Sequence, residues 1–226
     1  MHTGTGALTE LILEDGCRYA RLSCPESLIP APGQYLLASD ASNSPLPVSI
    51  FYTDSTPGGF IALAAVHWEP GDELYLRGPL GRGFSLPPSA RKVVLVAYDD
   101  VPARLRGLIR LALQQNAAVV LVCSSDIDSL PDEVEVQPLA GMLDALQWAD
   151  YTAIDVSREK LPELKQWMLE LLGRSAGSPQ VVYLTNDDEV AAWARMEAIA
   201  GHLAVLEPVP DADPRDASDL DSCQQL

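Results

Sequence analysis

The hydrophobic pattern of this chain changes near residue 90, and that change restricts the possible fold more than any other feature. Before it, short apolar runs alternate with turn residues. After Pro87, Pro88 and Ser89 the apolar runs become continuous and are separated by stretches with helical spacing. A chain of 226 residues has room for two domains of ordinary size. The sequence therefore predicts two domains of different class, over residues 1–90 and 91–206.

The first ninety residues have the pattern of an antiparallel β domain. Turn residues such as Asp15-Gly16 and Pro70-Gly71-Asp72 separate six apolar runs. The predicted strands are Ala7–Glu14, Arg18–Cys24, Gln34–Ser39, Pro47–Tyr52, Phe60–Val66 and Glu73–Gly78. Six strands at this spacing are typical of a small antiparallel barrel or a sandwich, and the spacing alone does not choose between them.

The second domain alternates buried strands with helices. Lys92–Ala97 is a continuous apolar run, as expected of a strand covered on both faces of a parallel sheet. Further strands are predicted at Val119–Cys123, Val134–Val136, Tyr151–Val156, Gln180–Leu184 and Leu203–Leu206. Helices are predicted over Val101–Gln115 and Leu139–Trp148, from Leu161-Pro162, and from Asn186 to Gly201. This alternation predicts a doubly wound parallel sheet.

Charge and composition exclude several classes of partner. The chain has 15 basic and 32 acidic residues, for a net charge of −17, which disfavours binding to nucleic acid or to an anionic membrane. No apolar run approaches the roughly 18 residues needed to span a bilayer. The first residues lack the basic and apolar regions of a signal peptide, so we expect a cytoplasmic protein. Residues 207–226 are acidic and poor in large apolar residues, which predicts a disordered tail.

Two segments carry a family resemblance. The more specific is the string Gly78–Phe84 (GPLGRGF), which follows Pro70-Gly71-Asp72, and the other is Leu46–Ile50 (LPVSI). They resemble the domain junction and the Arg-Pro-x-Ser-Ile flavin motif of the ferredoxin–NADP reductase superfamily, most closely its dihydroorotate dehydrogenase electron-transfer subunits. The resemblance implies a six-stranded barrel that carries FAD, an α/β domain that docks NAD(H), and a 2Fe–2S cluster near the C-terminus. It also implies a protein partner, either a catalytic dehydrogenase-type subunit or another complex.

The resemblance places flavin contacts at five residues, namely Pro47, Val48, Ser49, Ile50 and Gly78. Other parts of the family's flavin site differ here. The family's phosphate-binding arginine is replaced by Leu46, which has neither charge nor donor. The stretch Ala64–Glu69 lacks the family's glycine-threonine segment and leaves no room for a pyrophosphate-binding helix before Pro70. An ordinary inner barrel strand over Pro47–Ile50 therefore stays an open alternative.

The family's Gly-rich nucleotide turn is also replaced. After the first strand of the second domain the chain reads Ala97–Pro102 (AYDDVP), with no glycine and with Asp99 and Asp100 where phosphate would lie. At about 4 Å each like-charge contact costs about 1 kcal/mol even in water. Either aspartate would serve equally as a helix cap. The family's late Cys-Gly-Pro aligns with Leu184–Asn186. We predict that NAD(P) does not bind.

Metal and catalytic sites are not predicted. Iron–sulfur ligation needs closely spaced thiolates, whereas 6, 98 and 99 residues separate Cys17, Cys24, Cys123 and Cys223 in turn. The three histidines show no metal-ligand spacing, and His67-Trp68 is either a ring-stacking pair or a pair at the barrel rim. Two functions stay open. One is a divergent electron-transfer subunit with degraded FAD, NAD and iron–sulfur sites, and the other is a non-catalytic structural or interaction subunit.

Overall fold

The computed structural model describes most of the first 166 residues and two later strands. These are residues 1–40, 47–81, 83–98, 102–125, 127, 129–156, 160, 162–164 and 166, together with the backbone of Gln180–Leu184 and Leu203–Val205. The chain divides into two compact units, the first over Met1–Phe84 and the second over Ser85–Pro208. Within the described residues, no helix is long and apolar enough to cross a membrane.

The first unit is a seven-stranded antiparallel sheet. Its strands are β1 (His2–Glu14), β2 (Cys17–Ser23), β3 (Tyr35–Asp40), β4 (Val48–Phe51), β5 (Asp54–Thr56), β6 (Gly59–Leu63) and β7 (Glu73–Leu80). Their order across the sheet is β4-β3-β7-β1-β2-β6-β5. One short 3-10 helix, Glu26–Leu28, follows β2, and the described residues of this unit contain no α-helix.

The two edges of this sheet are joined by two residues. β4 and β5 lie at opposite edges, yet only Tyr52 and Thr53 separate them in the chain. Three Cα steps reach about 11 Å at most, so the sheet must curl until its edges are neighbours. The N–H of Thr53 donates to the carbonyl of Ile61 on β6 at 2.9 Å. The sequence predicted six strands, and the seventh arises because the predicted strand Pro47–Tyr52 bends and continues as β5.

The interior of the curled sheet is an apolar cluster. Trp68, Phe60 and Leu36 are among its fully buried side chains. Ile50 and Tyr52 enter it at alternate positions along the chain, as expected where one face of a strand is covered. Burying large aromatic side chains of this kind contributes about 2–3 kcal/mol each relative to exposure. The interior is therefore filled by the protein's own side chains.

The second unit is a six-stranded parallel sheet with helices. Its strands are β8 (Lys92–Ala97), β9 (Ala118–Val122), β10 (Val134–Gln137), β11 (Tyr151–Asp155), β12 (Gln180–Leu184) and β13 (Leu203–Val205). Their order is β10-β9-β8-β11-β12-β13, which is 3-2-1-4-5-6 when counted within the unit. The direction of winding reverses between β8 and β11, and this is the switch point of the sheet. The predicted fold class, a β domain followed by a doubly wound α/β domain, is confirmed.

Helices cover the central strands of this sheet. The predicted helix over Val101–Gln115 begins as a 3-10 turn, Pro102–Leu105, and continues as α1 (Arg106–Gln114). The predicted apolar face of this helix is confirmed, because all four of its side chains are buried (Leu105, Leu108, Ile109 and Ala112). A 3-10 turn at Leu139–Gly141 leads into α2 (Met142–Trp148). Most of the helix predicted from Leu161, the helix predicted from Asn186 and the acidic tail lie outside the described residues.

Candidate functional site

The predicted flavin motif lies on the edge strand β4. Ile50 is 1% exposed and belongs to the interior cluster, against which Val48 also packs. Ser49 alternates with them and so faces away from this cluster, as does Phe51. The Phe51 ring lies 5.3 Å from the ring of Tyr35 on β3, centroid to centroid. Pro47 precedes the strand, and Leu46 lies outside the described residues. Ser49 is thus the one polar side chain that the described part of the motif offers on its outward face.

Gly78 lies two strands away from Ser49. It belongs to β7, and β3 runs between β7 and β4. Its φ of 152° is one that side chains rarely adopt, and a Cβ here would stand 2.4 Å from Cδ2 of the buried Leu36. The packing of the protein against its own neighbouring strand therefore accounts for the glycine. The structure brings Ser49 and Gly78 onto one sheet without placing them in contact across a strand pair.

The rest of the GPLGRGF string packs on the segment 30–34. The side-chain amide of Gln34 donates to the carbonyl of Gly81 at 3.1 Å, and the N–H of Phe84 donates to the carbonyl of Pro32 at 2.7 Å. A Cβ at Gly33 would stand 2.6 Å from the Phe84 ring. Close backbone approach thus explains the small residues along this path, while Arg82 lies outside the described residues.

The segment between β6 and β7 holds turns and no helix, as its length predicts. All of its residues, 64–72, are described. Most of its backbone donors already bind protein acceptors. The residues whose N–H groups do so are Ala64, Trp68, Glu69, Gly71 and Asp72. Such donors are what a phosphate group would need, and five of the eight backbone N–H groups in this segment bind protein acceptors instead.

Arg18, on β2, fixes the same segment. Its Nη2 donates to the carbonyl of Trp68 at 2.6 Å, while its Nη1 donates to the carbonyls of Ala65, at 3.4 Å, and of Val66. An arginine presents its five N–H donors in a rigid fork, so one side chain satisfies several carbonyls of a turn at once. The sequence does not reveal this contact, because its partners are backbone atoms about fifty positions away.

Of the two interpretations of His67-Trp68, stacking on a ligand ring does not fit the tryptophan. Trp68 is fully buried in the interior cluster, so its ring faces are covered by protein. His67 is exposed, and its Nε2 lies 2.7 Å from Oδ2 of Asp40 at the end of β3. The two rings meet edge to face at 6.3 Å. His67 therefore lies at the rim of the curled sheet and Trp68 in its interior, as in the interpretation of the pair as part of the barrel rim.

An ion pair lies at the switch point of the second unit. Asp155 ends β11 and is 4% exposed. Arg104 comes from the 3-10 turn that follows β8; its Nε donates to Oδ2 of Asp155 at 2.8 Å, and its Nη2 contacts Oδ1. This two-point arrangement is the strong form of a guanidinium–carboxylate contact. The predicted phosphate-repelling residues Asp99 and Asp100 lie outside the described residues.

Tyr98 makes a second link across the switch point. It follows β8, and its N–H donates to the carbonyl of Asp155 at 2.9 Å. A side-chain hydrogen bond between Tyr98 and the exposed Glu163 lowers the pKa of that carboxyl below its ordinary value, and the contacts of Lys160 lower it further. Lys160 Nζ lies 3.3 Å from Oε2 of Glu163. The two links run from the β8 side to the β11 side, so the residues around both strand ends are tied together.

The cysteines and other titratable groups are distributed over both units. Cys17 and Cys24 lie in and just after β2, where burial raises the pKa of the Cys24 thiol. Cys123 follows β9 in the second unit, and its thiol donates to the carbonyl of Ser125 at 3.3 Å. Among the described residues, no three His, Cys, Asp or Glu side chains are grouped so that they could hold a metal ion. Burial raises the pKa of Tyr151 to about 12.

Comparison with known sequences gives one partial match. No family model matches the chain. Over 80 residues it is 34% identical to the "Probable dihydroorotate dehydrogenase B (NAD(+)), electron transfer subunit" of Thermoplasma acidophilum. The match covers 33% of this chain and 32% of that protein, so it spans about a third of the relative's length.

Solved structures share the fold over most of the chain. The ferredoxin reductase of carbazole 1,9a-dioxygenase superposes with a TM-score of 0.61 at 17% identity, over 80% of this chain and 66% of that one. A ferredoxin NADP+ reductase from Neisseria gonorrhoeae, solved with bound FAD and NADP, gives 0.51 at 13% identity, over 92% and 99%. An NADH-dependent reduced ferredoxin–NADP oxidoreductase gives 0.60 at 13% identity, over 80% and 75%. At these identities the solved structures show that this chain shares the two-domain fold of these reductases.

Proposed function

We propose that this chain is a divergent electron-transfer subunit of the ferredoxin-reductase type, with degraded FAD, NAD and iron–sulfur sites. In this proposal residues 1–90 are the flavin-type barrel, residues 91–206 are the NAD-binding-like domain and residues 207–226 are an acidic tail. The relative from Thermoplasma acidophilum is by its name one subunit of a dehydrogenase. A catalytic dehydrogenase-type subunit is accordingly the partner that we propose.

The observation that carries the proposal is the internal use of the donors in residues 64–72. A flavin dinucleotide brings a charged pyrophosphate, and burying phosphate without donors or a cation is costly. The N–H groups of Trp68 and Gly71 donate within the protein, and the guanidinium of Arg18 is bound to carbonyls. Leucine at position 46 supplies neither charge nor donor. The residues present therefore do not fit a pyrophosphate, and FAD is held weakly or not at all.

What remains for a flavin is the outward face of β4. Ser49 offers one hydroxyl there, and the adjacent backbone belongs to the edge strand β4, whose second side has no ladder partner among the described strands. Contacts of this kind suit a flavin ring edge and leave the phosphates unpaired. Pro47, Val48, Ser49, Ile50 and Gly78 are the residues that we propose for any residual flavin binding.

A second function is a non-catalytic structural or interaction subunit that keeps the fold without cofactors. The Arg104–Asp155 pair favours it, because the crevice at the switch point is tied by protein groups and needs no ligand to satisfy their charges. The two candidates differ in one measurable property, which is whether the barrel binds FAD.

The experiment is a visible absorption spectrum of the purified protein, followed by FAD titrations of the wild type, Leu46→Arg and Leu13→Arg. Leu13 is 83% exposed at the hairpin between β1 and β2, so its substitution adds the same charge away from the motif. We expect a colourless protein and an FAD affinity that Leu46→Arg raises about tenfold to hundredfold, the value of one charge-assisted contact of roughly 1.5–3 kcal/mol.

Three outcomes would contradict parts of this proposal. A yellow wild-type protein with stoichiometric FAD would refute the degraded site. An equal gain in Leu13→Arg would mean that added charge alone attracts the dinucleotide. A wild type and a Leu46→Arg variant that both fail to bind FAD would favour the non-catalytic subunit.

A further inference from the structure

The Arg104–Asp155 pair occupies the position at which doubly wound sheets bind their ligands. Ligands of such sheets lie outside the carboxyl ends of the strands at the switch point, with phosphate near the start of the helix that follows the first strand. Asp155 is the last residue of β11, and its register partner on β8 is Ala97, the last residue of that strand. Arg104 belongs to the 3-10 turn that leads into α1. Both side chains therefore reach the crevice from its two sides.

The pair differs from an ordinary surface ion pair in its burial. The Asp155 side chain is 4% exposed and that of Arg104 is 26% exposed. A carboxylate withdrawn from water to this degree needs a partner, and removing one member of such a pair is strongly destabilising. The guanidinium meets both carboxylate oxygens with two of its nitrogen atoms. The same two donors would bind two oxygens of a phosphate group in the same geometry.

We propose that Asp155 is an internal substitute for a phosphate ligand, which occupies the guanidinium of Arg104 and keeps the crevice of the second unit closed to dinucleotides. This inference rests on the proposed loss of nucleotide binding and supplies a structural cause for it. Entry of a phosphate would require it to displace a carboxylate that has little water to return to. Tyr98 is 7% exposed, and its N–H donates to the backbone carbonyl of Asp155 beside the pair.

The first test removes the charge of Asp155 without changing its shape. Asp155→Asn and the wild type are titrated calorimetrically with inorganic pyrophosphate and with NADH. The control is Asp150→Asn. Asp150 directly precedes β11, at the opposite end from Asp155, and its carboxylate accepts hydrogen bonds from the backbone N–H groups of Arg91 and Lys92. We expect Asp155→Asn to bind pyrophosphate about tenfold to hundredfold more tightly than the wild type, and the double variant Arg104→Gln/Asp155→Asn to lose that gain. An Asp155→Asn variant that binds no better than Asp150→Asn would overturn the proposal.

The second test uses only the wild-type protein, so it does not depend on the folding of a variant. Phenylglyoxal modifies accessible guanidinium groups, and mass spectrometry reports the rate at each arginine of the native wild type. We expect Arg104 to react about tenfold or more slowly than the exposed Arg77 and Arg91. Equal rates would show that Asp155 does not occupy the guanidinium. FAD binding concerns the barrel alone, so a yellow protein would refute the proposed function while both tests still decide the role of Asp155.

Discussion

The contact between Arg18 and the segment 64–72 gives the sharpest prediction about the first unit. In Arg18→Met the aliphatic length is kept, while the donors to the carbonyls of Ala65, Val66 and Trp68 are lost. A hydrogen bond from a charged donor contributes roughly 1.5–3 kcal/mol. Val66 is exposed, so water can replace the arginine at its carbonyl, and the contact with Trp68 dominates. We expect the free energy of unfolding to fall by about 1–3 kcal/mol.

The assay is equilibrium unfolding in urea, with Arg21→Met as the matched control. Arg21 lies on the same strand, and its Nε pairs with Glu10 at 3.2 Å with side chains 43% and 53% exposed. A pair of this exposure contributes about 0–1 kcal/mol. The urea midpoint should therefore fall clearly in Arg18→Met and little in Arg21→Met, with unchanged slopes. Equal midpoints for the two variants would refute the idea that Arg18 holds this segment.

Three further predictions concern other parts of the chain. The hydroxyl of Tyr151 is buried without a partner among the described residues, and burial raises its pKa to about 12. Because the folded state favours the protonated phenol, the protein loses stability as the pH rises above the ordinary pKa of 10. Tyr151→Phe should be about 1 kcal/mol more stable than the wild type at neutral pH. This difference should grow by about 1 kcal/mol between pH 10 and 11, as measured by urea unfolding at each pH. A difference that stays constant would contradict the raised pKa of Tyr151. Gly78→Ala should lose about 1–3 kcal/mol through strain and the clash with Leu36, whereas Gly58→Ala, with a φ of 74° and open space around it, should lose less in the same assay. Deletion of residues 209–226 should leave the melting temperature nearly unchanged, and a drop of several degrees would mean that the tail docks on the body.

Much of the fold could be predicted because it depends on local pattern. The run KVVLVA predicts β8 with the bounds that the structure gives it. A strand covered on both faces of a parallel sheet is apolar along its whole length, because neither face meets water. The helix after it was placed correctly by the spacing of its four buried residues, although its first turn is 3-10. The strand count was missed by one because a bend at Tyr52-Thr53 leaves no mark in the hydrophobic pattern.

The sequence by itself also determined which family residues are replaced. Leucine at position 46 and the absence of glycine after β8 are visible in the chain, because a missing charge or a missing glycine is a property of one position. The sequence did not show which contacts within the protein take the place of the family's cofactor contacts. Arg18 and Trp68 are 50 positions apart, and Arg104 and Asp155 are 51 apart. An arginine in a sequence carries no sign of whether it meets solvent, a carbonyl or a buried carboxylate. Only the tertiary structure decided this, because antiparallel pairing of β2 with β6 and parallel pairing of β8 with β11 bring these distant groups within hydrogen-bond distance.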